Sequence, residues 1–154
     1  MGGVVRQKNA QRDLVVNRKA RHEYFLEDRF EAGIVLLGPE VKSLRAGQAN
    51  LKEAHVRVEK GSAWLYGCHI APYTEAHRDN GDPLRPRRLL LHRSEITKLR
   101  KGCSLGGHTI VPVRIYLKGS WVKIEVALAK GKKLHDKRRV LKERSARDEM
   151  RRRR

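Results

Sequence analysis

From residue 22 to residue 128 the chain runs in short apolar or alternating stretches, broken by Gly, Pro or charged residues. Alternation over four to eight residues marks a strand with one buried face. Residues 22–27 and 30–37 (FEAGIVLL) read as strands, with Gly33 as a bulge or kink. Residues 55–59 (HVRVE) alternate, Gly61 turns the chain, and residues 63–70 (AWLYGCHI) alternate again. This predicts a hairpin with Val56, Val58, Trp64 and Tyr66 among its patterned positions. Residues 109–117 (TIVPVRIYL) and 121–128 (WVKIEVAL) predict a second hairpin around Lys118-Gly119-Ser120. Pro112 has no N–H to give a ladder, so it demands an edge or bulged position.

Two short helices interrupt the strands. Gly38-Pro39-Glu40 starts the first, since Pro fits the first turn and Glu favours the positive end of the helix dipole. Val41 and Leu44 then share a face, and Gly47 ends it. The second runs from Ser94, as N-cap, through Ile96 and Leu99 to Gly102. Between Ile70 and Arg88 lies a loop holding Pro72, Gly81, Pro83 and Pro86. Several short strands with two short helices predict a mainly β fold. A closed barrel of the oligonucleotide-binding type suits them, because closure removes unpaired edges.

The ends differ from this middle. Residues 1–16 are polar and unpatterned and read as a flexible arm, leaving 17–129 as the folded unit. Residues 130–154 hold 13 basic and 4 acidic residues, and their only large apolar side chains are Leu134, Val140, Leu141 and Met150. That is too few to bury a face, so the tail is expected to be disordered alone. It has no Pro and is rich in helix formers, so a helix formed on contact with RNA is expected.

Charge narrows the partner. Lys and Arg number 36 against 17 Asp and Glu, a formal net charge of +19, which calls for a polyanion. The apolar runs fall far short of the roughly 20 residues that cross a membrane as a helix. The N-terminus lacks the apolar stretch of a secretory signal, and Arg6 spoils a myristoylation match. Cys68 and Cys103 cannot build a disulfide framework and fit a reducing cytosol.

Enzyme chemistry finds little support. No Gly-rich loop precedes a Lys-Ser/Thr pair. Cys68 and His69 are neighbours in an expected strand and point to opposite faces, so they do not chelate one ion easily. His22-Glu23 and His135-Asp136 are adjacent pairs without the mutual geometry that catalysis needs. The reading is a protein without catalytic residues, metal or cofactor.

Four basic clusters point to nucleic acid. They are Arg18, Lys19, Arg21 and His22; Lys42 and Arg45, on one helical face; Arg85, Arg87 and Arg88; and Lys130, Lys132, Lys133, Lys137, Arg138 and Arg139. Composition does not choose RNA over DNA. Glu31 stands out against this background. Spacing alone favours an exposed strand residue paired with a nearby cation, and the functional reading is an acceptor for base N–H groups in an RNA loop.

Specific motifs go further. Asn17-Arg18-Lys19-Ala20-Arg21-His22-Glu23-Tyr24, Glu31-Ala32-Gly33 and Glu40-Val41-Lys42-Ser43-Leu44-Arg45-Ala46-Gly47 closely resemble the bacterial SsrA-binding protein (small protein B) family. The resemblance continues through Ile70-Ala71-Pro72-Tyr73, Asp82-Pro83 and Arg88-Leu89-Leu90-Leu91-His92 to Ala129-Lys130-Gly131-Lys132-Lys133 and Asp136-Lys137-Arg138. It spans residues 17–144 in order.

The resemblance implies an oligonucleotide-binding barrel that binds the tRNA-like domain of transfer-messenger RNA and brings it into the empty decoding site of a stalled ribosome. The implied RNA surface includes Glu31, Leu90 and His92, with Lys130, Lys132 and Lys133 nearby; Tyr24 and the basic clusters, Arg88 included, join the candidate interface. The family often has Asn at the position of His92. His135, Asp136, Lys137 and Arg138, with the tail through Met150, are implied to act inside the ribosome, against small-subunit RNA at the decoding centre and mRNA channel. A cytoplasmic monomer is expected. A structural ribosomal protein and a general RNA chaperone are the alternatives.

Overall fold

A computed structural model describes residues 11–75 and 80–132. Its elements in chain order are β1 (Gln11–Val16), α1 (Arg18–Glu23), β2 (Tyr24–Ile34), α2 (Gly38–Arg45), β3 (Ala49–Asn50), β4 (His55–Glu59), β5 (Ser62–Tyr66), β6 (His69–Ile70), β7 (Arg87–Leu90), α3 (Arg93–Cys103), β8 (His108–Lys118) and β9 (Trp121–Gly131). The fold is mainly β with short helices, as the apolar pattern predicts.

Seven strands form one antiparallel sheet in the order β1-β8-β4-β5-β7-β2-β9, and β9 also pairs with β8. The pairings therefore run in a cycle through β4, β5, β7, β2, β9 and β8. Between β8 and β4 the link is a single pair, Val56 with Ile110. Inside the cycle lie Val56, Leu65, Leu89, Ile110, Ile115, Ile124, Val126 and Leu128, joined by Leu44 from α2 and Leu99 from α3. Strands β3 and β6 form a separate two-stranded ladder.

Strand β8 explains why residues 110–113 are apolar at every position rather than alternating. Ile110 faces the main core, while Val111 joins Ala20 of α1 and Ala129 of β9 in a second cluster. A strand covered on both faces loses its period-two signature. The small side chains of Ala20 and Ala129 let the helix lie close to the sheet.

Several expectations need correction. Residues 11–16 are not arm but strand β1, paired to β8 from Gln11↔Lys118 to Val16↔Arg114. The strand expected over 22–27 begins only at Tyr24, because Asn17 nucleates a helix just before it. Asn17 Oδ1 accepts from the Ala20 N–H at 3.2 Å, and its Nδ2 donates to the Pro112 carbonyl at 2.8 Å. Residues 24–34 are one strand, and its bulge falls between Leu26 and Arg29, not at Gly33. Gly33 serves close approach instead: a Cβ there would sit 3.2 Å from Leu90 Cβ.

The strand expected over 63–70 stops at Tyr66, since Gly67 adopts φ +72° and a Cβ there would lie 2.4 Å from the Glu53 carbonyl. The expected loop 70–88 ends in strand β7, which the pattern missed. Helix α3 is capped at His92 rather than Ser94, with the His92 N–H donating to Glu95 Oε1 at 2.9 Å, and it extends past Gly102 to Cys103. Pro112 does sit beside a bulge, where the β8–β9 register shifts between Pro112 and Arg114. The β4–β5 hairpin turns on Lys60 and Gly61, both at positive φ, which matches the right-handed twist of its strands.

Candidate nucleic-acid interface

Alternation along β2 sends Ala32 into the core and Glu31 outward. Register places Glu31 opposite Glu125 of β9, and Glu125 opposite Arg114 of β8. Two carboxylates directly opposed on neighbouring strands repel, so each must be neutralised separately. The Tyr116 hydroxyl donates a short hydrogen bond to Glu31 Oε2, and Lys118 Nζ approaches Oε1 at 3.1 Å. Glu125 is held by Arg114 Nε at 3.2 Å and by Arg29 at 3.8 Å. Arg114 also reaches Asp13 Oδ1 at 2.6 Å and lies 4.0 Å from the Tyr116 ring centre.

The Tyr116 hydroxyl bond, aided by Lys118 and Lys123 against a smaller desolvation effect, holds the Glu31 carboxyl below its usual range. Burial, and then the Glu31 carboxylate, push the Tyr116 phenol well above its own. Glu31 is therefore an ionised acceptor of fixed orientation, with about a third of its side chain exposed. A carboxylate offers roughly four lone-pair sites, so capacity remains for an incoming donor.

Leu90 belongs to the same surface. Gly33 pairs with both Leu90 and Lys123, so Leu90 stands beside Glu31 on the outer face, 54% exposed. Arg88 lies two residues back on the same face of β7, and His92 caps α3 two residues on. Arg87, which precedes Arg88 on the opposite face of β7, is fully buried. It donates to Glu40 Oε2 at 2.6 Å, to the Cys68 carbonyl at 2.7 Å and to the Pro83 carbonyl at 3.1 Å. Arg85 reaches Glu40 Oε1 at 2.6 Å. Burial raises the Glu40 carboxyl, but the Leu37 N–H and the two guanidiniums outweigh it and hold the group below its usual range. This network anchors β7, and so Arg88 and Leu90, to α2. Of the basic cluster at 85–88, only Arg88 is free of these ties to Glu40.

A second group gathers at the other end of β2. Arg18, Lys19, Arg21 and His22 are exposed on α1, and Tyr24 opens β2. Lys130 pairs with Phe25 across the ladder. The Lys132 N–H donates to the Glu23 carbonyl at 2.8 Å, and its Nζ reaches the Arg21 carbonyl at 3.2 Å and sits 5.1 Å from the Phe25 ring centre. Seven residues of strand separate Tyr24 from Glu31, about 20 Å. Lys42 and Arg45 are exposed on α2, with Lys42 5.3 Å from the Tyr73 ring centre, and form a third group. The candidate residues thus occupy three patches rather than one. Lys133, His135, Asp136, Lys137, Arg138 and Met150 lie outside the described residues.

Sequence reasoning missed Arg114, Tyr116, Lys118, Lys123 and Glu125. Their signal was present as polar residues every second position over 114–118 and 123–125, which places them on the outer face of a hairpin. Among the described residues, no group of three or more His, Cys, Asp or Glu could hold a metal ion, and no helix is long and apolar enough to cross a membrane. Cys68 is buried, and desolvation pushes its thiol up to about 11, away from nucleophile or ligand duty.

Residues 14–154 match the family described as SmpB protein. An SsrA-binding protein of Roseiflexus castenholzii is 50% identical over 145 residues, covering 94% of this chain and 92% of its own. One from Bacillus cereus is 49% identical over 143 residues, covering 93% and 92%. A chain of the solved structure described as "tmRNA-SmpB: a journey to the center of the bacterial ribosome" superimposes with a TM-score of 0.66 at 42% identity, covering 77% of this chain and 84% of that one.

Proposed function

Because the chain belongs to the SmpB family of SsrA-binding proteins, we propose that it binds the tRNA-like domain of transfer-messenger RNA and delivers it to stalled ribosomes, as a non-enzymatic cytoplasmic partner of trans-translation. The observation that carries this reading is the outer face around Glu31. A carboxylate fixed by Tyr116 and Lys118, beside an exposed Leu90 and among cations, suits recognition of unpaired RNA bases rather than phosphate alone. The α1 patch with Lys130 and Lys132 suits the sugar–phosphate backbone on either side of such a contact.

The cycle of strand pairings is read as an oligonucleotide-binding barrel whose β4–β8 bridge closes it. The tail expected from residue 130 begins later, because β9 runs through Gly131 and the Lys132 N–H is tied to Glu23, so the chain divides into this RNA-binding body and a tail from residue 133 that acts in the decoding site and mRNA channel. Its net charge of +7 over 22 residues disfavours a free helix, and ribosomal RNA supplies the counter-charge that lets one form. Lys133, His135, Asp136, Lys137, Arg138 and Met150 are assigned to that step.

Truncation after Lys132 tests both halves of the reading. The truncated chain binds the isolated tRNA-like domain within about tenfold of the full chain, a difference of ~1.4 kcal/mol, yet fails to support peptide tagging on stalled ribosomes. Loss of RNA binding by truncation would move recognition to the tail. Tagging at the full rate would remove the tail from the mechanism.

A further inference from the structure

The outer face of β4, β5 and β7 has no part in the contacts assigned above, Arg88 excepted. Inward-facing Val56, Ala63, Leu65 and Leu89 are buried, so the alternate residues form an outer surface. Register arranges those residues in rows across the strands. Arg57 faces Trp64, and Trp64 faces Arg88. In the adjacent row His55 faces Tyr66, their rings stacked with centres 5.7 Å apart and planes 17° from parallel. The Arg57 guanidinium lies 5.5 Å from the Tyr66 ring centre, and the Tyr66 hydroxyl donates to Glu59 at 3.0 Å. Beside these rings is an open groove of about 420 Å³ lined by Glu59, Lys60, Ser62, Trp64, Tyr66 and Pro86.

We infer that this face is a second RNA-binding site, a stacking platform for an unpaired RNA segment. Rings offer π-faces to bases without regard to sequence, and cations set between the rings meet the phosphates that link those bases. Arg57, Lys60 and Arg88 supply the cations, and Trp64, Tyr66 and His55 the rings. Such interleaving on the open face of a small β barrel is what single-stranded nucleic acid requires, and the chain's excess of positive charge favours RNA over a protein partner. Strand β5 is two pairings from β2 by way of β7, so Arg88 and Leu90 of β7 lie between the platform and Glu31. The platform is therefore centred one strand beyond β7, on Trp64 and Tyr66, and adjoins the Glu31 surface at Arg88.

The test uses the full chain, a labelled single-stranded adenosine hexamer and the isolated tRNA-like domain. Trp64→Ala and Tyr66→Ala are expected to weaken the hexamer roughly tenfold each, the scale of one lost base stack, and to leave the tRNA-like domain within twofold. Trp64→Phe restores most of the hexamer affinity. Glu31→Gln shows the reverse pattern, which separates failure of this inference from failure of the proposed function. The chain has two tryptophans, and Trp121 is 73% exposed, so Trp121→Phe leaves Trp64 as the sole reporter without disturbing the core. Quenching of that emission by the hexamer places bases on the platform. No quenching, unchanged hexamer affinity in Trp64→Ala, or equal loss of both ligands would overturn the inference.

Discussion

Replacing Tyr116 with Phe removes one oxygen from the centre of the Glu31 surface and little else. The ring is 2% exposed and carries the Arg114 guanidinium, and both features survive in Phe. What is lost is a hydroxyl bond to an ionised carboxylate, a class worth about 1.5–3 kcal/mol. Glu31 is a third exposed and keeps Lys118, so water recovers part of the loss. The expected destabilisation is about 1–2 kcal/mol at pH 7, or roughly 4–8 °C in Tm for a domain of this size.

The pH dependence identifies the cause. The wild-type Glu31 carboxyl is held down by Tyr116, so its contribution is complete above the ordinary Glu value of about 4.3 and disappears as pH falls through the lower folded value. In Tyr116→Phe the Glu31 pKa rises toward normal, readable by carboxyl NMR titration. The stability difference between the two proteins, from urea unfolding, then shrinks by about half or more below the folded Glu31 pKa, since a neutral hydrogen bond is roughly half as strong as a charged one. A difference that stays constant with pH, with Glu31 titrating as before, would refute the argument and assign the loss to core packing. Because Glu31 is also freed to rotate, the variant is expected to weaken the tRNA-like domain severalfold.

Three further outcomes follow from buried groups. Glu40→Gln leaves Arg87 fully buried without its counter-charge and is expected to cost about 3 kcal/mol by urea unfolding; an effect under ~1 kcal/mol would contradict the anchoring role. Gly102→Ala sets helix propensity, worth up to about 1 kcal/mol in favour, against a Cβ 2.4 Å from Leu128 Cδ2, an overpacking cost of about 1–3 kcal/mol. A net loss near 1 kcal/mol is expected, and a more stable variant would show that Leu128 moves freely. Cys68 is expected to resist iodoacetamide at pH 8 in the native protein while half-buried Cys103 reacts, as peptide mass spectrometry would show.

What the sequence revealed and what it hid have separate physical causes. The hairpins over 55–66 and 108–131 were legible because Gly61 and Gly119 punctuate alternating runs. Helix α2 was legible from Gly38-Pro39-Glu40. Strand β1 was not, since it borrows its partner from residues 114–118, about a hundred positions away, and carries only Leu14, Val15 and Val16 as apolar residues. Helix α1 was hidden because its cap depends on Asn17 reaching a bulge that Pro112 creates. Glu31 was singled out, yet its meaning rests on Tyr116, 85 positions on, and spacing alone cannot supply that pairing. Arg85 and Arg87 read as phosphate-binding cations because burial at Glu40 leaves no mark in composition.

On the proposed function, this chain selects one RNA, the transfer-messenger RNA, through the surface around Glu31. Sequencing the RNA that co-purifies with the full chain and with Glu31→Gln from bacterial cells, at matched salt, tests it most directly. Transfer-messenger RNA is expected as the dominant species with the full chain and at a severalfold lower share with Glu31→Gln. Ribosomal or bulk RNA in proportion to its cellular abundance, unaltered by the substitution, would contradict it.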